Sequence, residues 1–253
     1  MGKGMSSAGK TAVVTGAGGG VGLNIARDLL DEDANVTLID IKDRPEDLER
    51  GPGRALYLQG DVADDDFVGQ AIAQTFEQTG RLDYLVNAAG VLWFGRDMSM
   101  VEIDLDLWDE VLRINLKSMV HTARHAVPLM KRTGGGAMVH IASIQALRGD
   151  DRPQDDYQAS KAAIISLSKS LAIQFAADDI RSNVLVPGGT ESPMQERWNR
   201  DPALKAAAAA SVPLGRVGKT QDMANAALFL LSGKASFITG TELIVDGGRT
   251  ALP

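Results

Sequence analysis

Five consecutive residues, Tyr157-Gln158-Ala159-Ser160-Lys161, set a phenol and an ammonium one helical turn apart on one face. A free phenol titrates near 10, and bringing it close to 7 takes roughly 4 kcal/mol of preference for the phenolate. A lysine charge at ~4 Å, in surroundings of effective dielectric ~20, supplies about that much. The pair is therefore a candidate acid and base for moving a proton at neutral pH, and the sequence predicts that Lys161 lowers the pKa of Tyr157. Two other patterns carry less. Ser166-Leu167-Ser168-Lys169 has the S-x-x-K spacing of some acyl transferases but none of their companion motifs. His121 and His125 also lie one turn apart, yet no acid stands between them as in HExxH, so no metal site is expected.

The elements that must hold such a pair follow from the alternation of short apolar runs with longer helical patterns. Strands are predicted at 11–15, 35–39, 55–58, 82–86, 137–141, 181–186 and 242–245. Alternation of this kind implies βαβ crossovers, so the fold class is α/β, a Rossmann-like doubly wound parallel sheet of about seven strands with helices on both faces. One domain is expected over residues 10–253, after a loose lead at 1–9, with a substrate loop at about 190–215. A charged loop, 148–156, runs directly into Tyr157.

The first strand leads straight into Thr15-Gly16-Ala17-Gly18-Gly19-Gly20-Val21-Gly22, and a helix opens there. Glycines in this context let a backbone turn tightly and approach a pyrophosphate whose charge faces free N–H groups at a helix start. The spacing is not GxGxxG, and no lysine follows as in a triphosphate-binding loop. Asp40 ends the second strand, near where an acid meets adenosine ribose hydroxyls and repels a 2'-phosphate. Ile41 beside it is uncharged. The expected coenzyme is NAD rather than NADP, although Lys42 and Arg44 lie close by.

The bulk properties of the 253 residues narrow the partners. A net charge of -7 argues against nucleic acid or anionic membrane. Cysteine is absent, which excludes disulfides and thiolate metal sites and suits a reducing cytoplasm. The lead segment lacks the apolar stretch of a secretion signal.

Taken in order, these motifs resemble the short-chain dehydrogenase/reductase family, type TGxxxGxG and YxxxK. The resemblance covers about residues 9–248 and rests on Thr15 with Gly16, Gly20 and Gly22; Asp61-Val62; Asn87-Ala88-Ala89-Gly90; Asn115; Ser143; Tyr157 with Lys161; Pro187-Gly188; and Asp246-Gly247-Gly248. It implies hydride transfer between NAD and a secondary alcohol or ketone, with Ser143, Tyr157, Lys161 and Asn115 as catalytic residues. Tyr157 would take or return the hydroxyl proton, Ser143 would bind the substrate oxygen, Lys161 would also bind the nicotinamide ribose, and Asn115 would hold a water linking Lys161 to solvent. Gly16, Gly20, Val21, Gly22, Asp40, Ile41, Asp61, Val62, Asn87, Ala88, Ala89, Gly90, Pro187, Gly188, Thr190 and Ser192 would line the coenzyme site, with Asn87 to Gly90 also steadying the central strand. Thr190 and Ser192 stand where an aliphatic residue and a threonine are usual. Ser143, Gln145, Tyr157, Trp93, Met194 and Trp198 would surround a small-molecule alcohol or ketone in a mainly apolar pocket, with Arg148 or Arg152 available to a carboxylate. The resemblance further implies a homotetramer or homodimer. An NADP-dependent 3-oxoacyl reductase of the same family, or a dinucleotide-binding regulatory protein without catalysis, are the alternatives.

Overall fold

The computed structural model describes residues 7–46, 48, 51–150 and 152–253. Residues 1–6 of the expected lead, and Asp151 of the charged loop, lie outside the described residues. In chain order the elements are β1 (Thr11–Thr15), α1 (Gly20–Asp31), β2 (Asn35–Asp40), β3 (Arg54–Gln59), α2 (Asp65–Thr79), β4 (Tyr84–Asn87) and α3 (Leu105–Leu112). A π-helical turn (Arg113–Lys117), α4 (Ser118–Arg132), β5 (Gly136–Ile141), α5 (Asp155–Gln174) and β6 (Ile180–Pro187) follow. The last third holds β7 (Thr190–Glu191), α6 (Arg197–Arg200), α7 (Pro202–Ala210), β8 (Gly218–Lys219), α8 (Thr220–Leu231) and β9 (Glu242–Val245).

Seven strands form one parallel sheet in the order β3-β2-β1-β4-β5-β6-β9. Order reverses between β1 and β4, so a crevice opens there at the carboxyl ends of both strands. The central strands are apolar on both faces, because α1 and α8 cover one side and α2 and α4 the other. A separate ladder of β7 with β8 was not foreseen; two residues per strand are too few to leave a periodic pattern.

Polar groups inside this core are chained together. Thr122 Oγ1 donates to Asn87 Oδ1 at 2.7 Å, Asn87 Nδ2 meets His140 Nδ1 at 3.0 Å, and His140 Nε2 meets Ser182 Oγ at 3.1 Å. The asparagine amide can only donate, so Nδ1 accepts and Nε2 carries the proton toward Ser182. Burial pushes the imidazole down to about 3, which keeps it neutral in this role. Asn87 is thereby spent inside the sheet. Among the described residues, no helix is long and apolar enough to cross a membrane.

Candidate active site

A cleft of about 1060 Å³ lies over the carboxyl ends of the strands, and the glycine loop, Tyr157 and the segment after β6 all face it. Its coenzyme half is built by close backbone contact. A Cβ on Gly22 would come within 2.4 Å of Gly16 O, and one on Gly16 within 2.6 Å of Ala89 N. Gly16 also has φ +65°, a conformation that side chains disfavour. Thr15 Oγ1 ties the loop to the turn after β4 by accepting from Ala88 N and Ala89 N at 3.2 and 3.3 Å.

Helix α1 then starts at Gly19 with no side-chain cap, leaving its first N–H groups to an outside acceptor. That uncapped start, flanked by glycines and facing the cleft, fits a dinucleotide pyrophosphate. Asp40 bridges the loop: Oδ2 accepts from Gly18 N at 2.8 Å and Oδ1 from Lys42 N at 3.0 Å. Asp61 accepts from Ala63 N at 2.9 Å and pairs with Arg113 at 3.0 Å. Gly20, Val21, Ile41, Val62, Ala88, Ala89, Gly90, Pro187, Gly188, Thr190 and Ser192 line the same cleft. Asn87 is held by Thr122 and His140 at the end of β4, next to the cleft-lining Ala88, Ala89 and Gly90. Thr190 turns its hydroxyl onto Gly188 O at 2.9 Å.

The chemical half converges on Tyr157, which is buried. Ser143, two residues past β5, lies close enough to draw the phenol's pKa down, but burial outweighs this and the nearby Asp97 adds to the rise. The result is a phenol pushed up to about 12, against the lowering expected from the Tyr157 and Lys161 spacing. The largest cause is burial of the phenol itself, and Lys161 is desolvated as well. Its ammonium lies 5.6 Å from the Tyr157 ring centroid, donates to Ile141 O at 3.0 Å, and is driven down to about 8 by burial.

Asn115 is held by protein groups on two elements. Its Oδ1 accepts from Val91 N at 2.7 Å, while Nδ2 donates to Val91 O at 3.0 Å and Ser160 Oγ at 3.1 Å. The side chain staples the turn after β4 to α5, and Lys161 Nζ and Asn115 Oδ1 both lie beside Gly90. Its position on the π-helical turn is a local irregularity of the sort that clusters at working sites.

Beyond Tyr157 the cleft is lined by Trp93, Phe94, Gln145, Met194 and Trp198, together with Arg148, Asp150, Arg152 and Arg197. Gln145 is less free than expected, since Nε2 donates to Asp150 at 2.7 Å. Sequence reasoning missed three features. Arg113, from the π turn, anchors Asp61. Asp97 is buried beside Asp156, and burial with the neighbouring carboxyl pushes it up to about 8, while Asp156 accepts from Tyr157 N. Arg197 lies flat over Phe94, 3.6 Å from the ring centroid. None of these carries a local motif, and each is defined by a partner far away in the chain. Both histidines of the pair in α4 are engaged, His121 with Val62 O at 3.3 Å and His125 with Asp65 at 2.9 Å. No group of three or more metal-ligating side chains occurs among the described residues.

Comparison with known proteins agrees with this arrangement. A family model described as enoyl-(acyl carrier protein) reductase matches residues 16–250. The chain is 34% identical over 247 residues to a cis-4-hydroxycyclohexanecarboxylate dehydrogenase of Sinomonas cyclohexanicum, covering 96% of this chain and 97% of that one. It is 35% identical over 247 residues to the 3-oxoacyl-[acyl-carrier-protein] reductase of Chlamydia pneumoniae, with the same coverage. A solved short-chain dehydrogenase/reductase of Burkholderia xenovorans superposes with a TM-score of 0.90 at 35% identity, over 97% of this chain and 98% of that one. With the seven-stranded parallel sheet, the glycine loop and the tyrosine and lysine on α5, these matches make the chain an oxidoreductase belonging to the short-chain dehydrogenase/reductase family.

Proposed function

We propose that the chain transfers a hydride between NAD(H) and a secondary alcohol or ketone, with Tyr157 as the group that moves the proton. The observation that carries this reading is the buried Tyr157 phenol, with Ser143 beside it and Lys161 behind it, in the same cleft as an uncapped helix start. When bound, the nicotinamide supplies the hydride chemistry. Gly16, Gly20, Val21 and Gly22 receive the pyrophosphate, and Asp40 takes a ribose hydroxyl. Ile41, Asp61 and Val62 flank the adenine. Ala88, Ala89, Gly90, Pro187, Gly188, Thr190 and Ser192 close on the nicotinamide side, with Lys161 on its ribose.

The proton step follows from Tyr157. A phenol held near 12 is protonated at neutral pH, so it stands ready to donate to a ketone oxygen while Ser143 binds that oxygen as charge develops. Alcohol oxidation runs through the phenolate, whose population grows as pH rises. Trp93, Met194 and Trp198 give an apolar wall suited to a medium-sized alcohol, and the relative that acts on a hydroxylated cyclohexane supports including cyclic ones. The apolar groove between α4 and α5, lined by Met119, Val120, Val127 and Leu171, supports assembly into a homodimer or homotetramer. An NADP-dependent 3-oxoacyl reductase is the second reading. Lys42 Nζ favours it, for it reaches the glycine loop and could meet a 2'-phosphate.

A panel of secondary alcohols with NAD+ and with NADP+, followed by NADH or NADPH absorbance between pH 7 and 9, tests the proposal. Oxidation with NAD+ should climb with pH and exceed that with NADP+. Reduction confined to NADPH, or no turnover of any alcohol or ketone, would overturn it.

A further inference from the structure

The substrate half of the cleft has a positive wall. Arg148, Asp150 and Arg152 come from the loop before α5, Arg197 comes from the start of α6, and all four line the cleft that Tyr157 faces. Arg197 is the best ordered for recognition. Its guanidinium is stacked on Phe94, and its Nε donates to Gln195 Oε1 at 3.0 Å, which fixes the plane. Its two terminal nitrogens have no protein acceptor among the described residues. A planar fork held flat on an aromatic ring, with its outer edge free, matches the geometry of a carboxylate.

The charges around it point the same way. Arg152 is close enough for its charge, after burial, to weigh against protonation of Arg197, and Asp150 opposes that effect. Asp150 is committed elsewhere: one oxygen accepts from Gln145 Nε2 at 2.7 Å and the other from Arg152 N at 3.1 Å. Two like charges brought together beside Trp93, Phe94 and Trp198 are favourable once an anion lies between them.

We propose that Arg197, assisted by Arg152, makes this a dehydrogenase of hydroxy acids, binding a substrate carboxylate at the end remote from the carbon that carries the hydroxyl. The inference rests on Tyr157 marking the reacting end of the cleft. It separates the substrate class from the reaction: Tyr157 and Ser143 would serve any secondary alcohol, whereas Arg197 selects the charged ones.

Two measurements test it. The first compares kcat/KM for 4-hydroxycyclohexanecarboxylate with that for its neutral carboxamide. The wild-type protein should prefer the acid by about tenfold or more, Arg197→Ala should remove most of that ratio through KM, and Arg197→Lys should keep part of it. A wild-type ratio near one, or a ratio unaltered in Arg197→Ala, overturns the proposal. The second is calorimetric titration of the NADH-loaded protein with cyclohexanecarboxylate, which has no hydroxyl to oxidise, against cyclohexanecarboxamide. Binding of the acid alone, weakened about tenfold in Arg197→Ala, supports the anion site even if no alcohol is turned over and the hydride-transfer reading fails. Absence of binding, or equal binding of acid and amide, sinks the anion site whatever the turnover.

Discussion

The two halves of one cleft are built from different materials. The coenzyme half is made of backbone: glycines in contact at Gly16 and Gly22, a helix start without a cap, and carboxylates already committed to N–H groups or to Arg113. The substrate half is made of side chains on separate segments, with Trp93, Gln145, Arg197 and Trp198 brought together only by folding. Backbone contacts at van der Waals limits tolerate no substitution, while a wall of side chains can be exchanged. The difference teaches that a chain can keep one hydride-transfer machine and change what it acts on.

The sharpest way to break that contrast is to put a side chain into the coenzyme half. Gly22→Val would drive a Cβ against Gly16 O, and NADH affinity measured by fluorescence should fall by about a hundredfold or more, the cost of a steric conflict that only backbone movement relieves. Near-normal affinity would show that the loop yields more readily than its contacts indicate. A milder change in the same half is Asp40→Ala. Loss of a ribose partner and of repulsion toward a 2'-phosphate should narrow the preference for NAD over NADP by about tenfold, and an unchanged ratio would remove Asp40 from coenzyme choice.

The smallest effect falls at the junction of the halves and has the opposite sign for stability. A lysine whose folded pKa is lowered to about 8 takes up its proton more readily when unfolded, so the folded state loses stability as pH falls from the unfolded value toward 8. Lys161→Met should therefore raise the melting temperature at pH 7 by a few degrees, by roughly 2–4 °C for a domain of this size per kcal/mol recovered, while activity is lost. The gain should shrink above pH 9. A lower melting temperature in the variant would mean that the Ile141 carbonyl and the Tyr157 ring compensate the buried charge in full.

Legibility followed the same division. The strands were readable because buried parallel strands are apolar throughout, and their observed limits differ mostly by a residue. In β4 the shift is larger: the strand runs Tyr84–Asn87, and Asp83 ahead of it is salt-bridged to Lys10 and Arg81. The glycine loop and the Tyr157 and Lys161 pair were legible because their partners lie within a turn or a strand end. The hydrogen-bond partners of Asn87 and Asn115 were not legible, since they come from other elements. Arg113, Asp97 and Arg197 could not be found from spacing. The sign of the Tyr157 shift was missed for a related reason, because burial of a group depends on everything packed around it and not on one neighbour.

The central claim is that Tyr157 Oη carries the proton between substrate and protein. Tyr157→Phe tests it with the fewest side effects, since the ring remains while the hydroxyl is removed. Turnover of the best alcohol should drop by about a thousandfold or more while NADH affinity stays within about threefold. Residual turnover within about tenfold of the wild-type rate, with coenzyme binding intact, would contradict the account and assign the proton to another group.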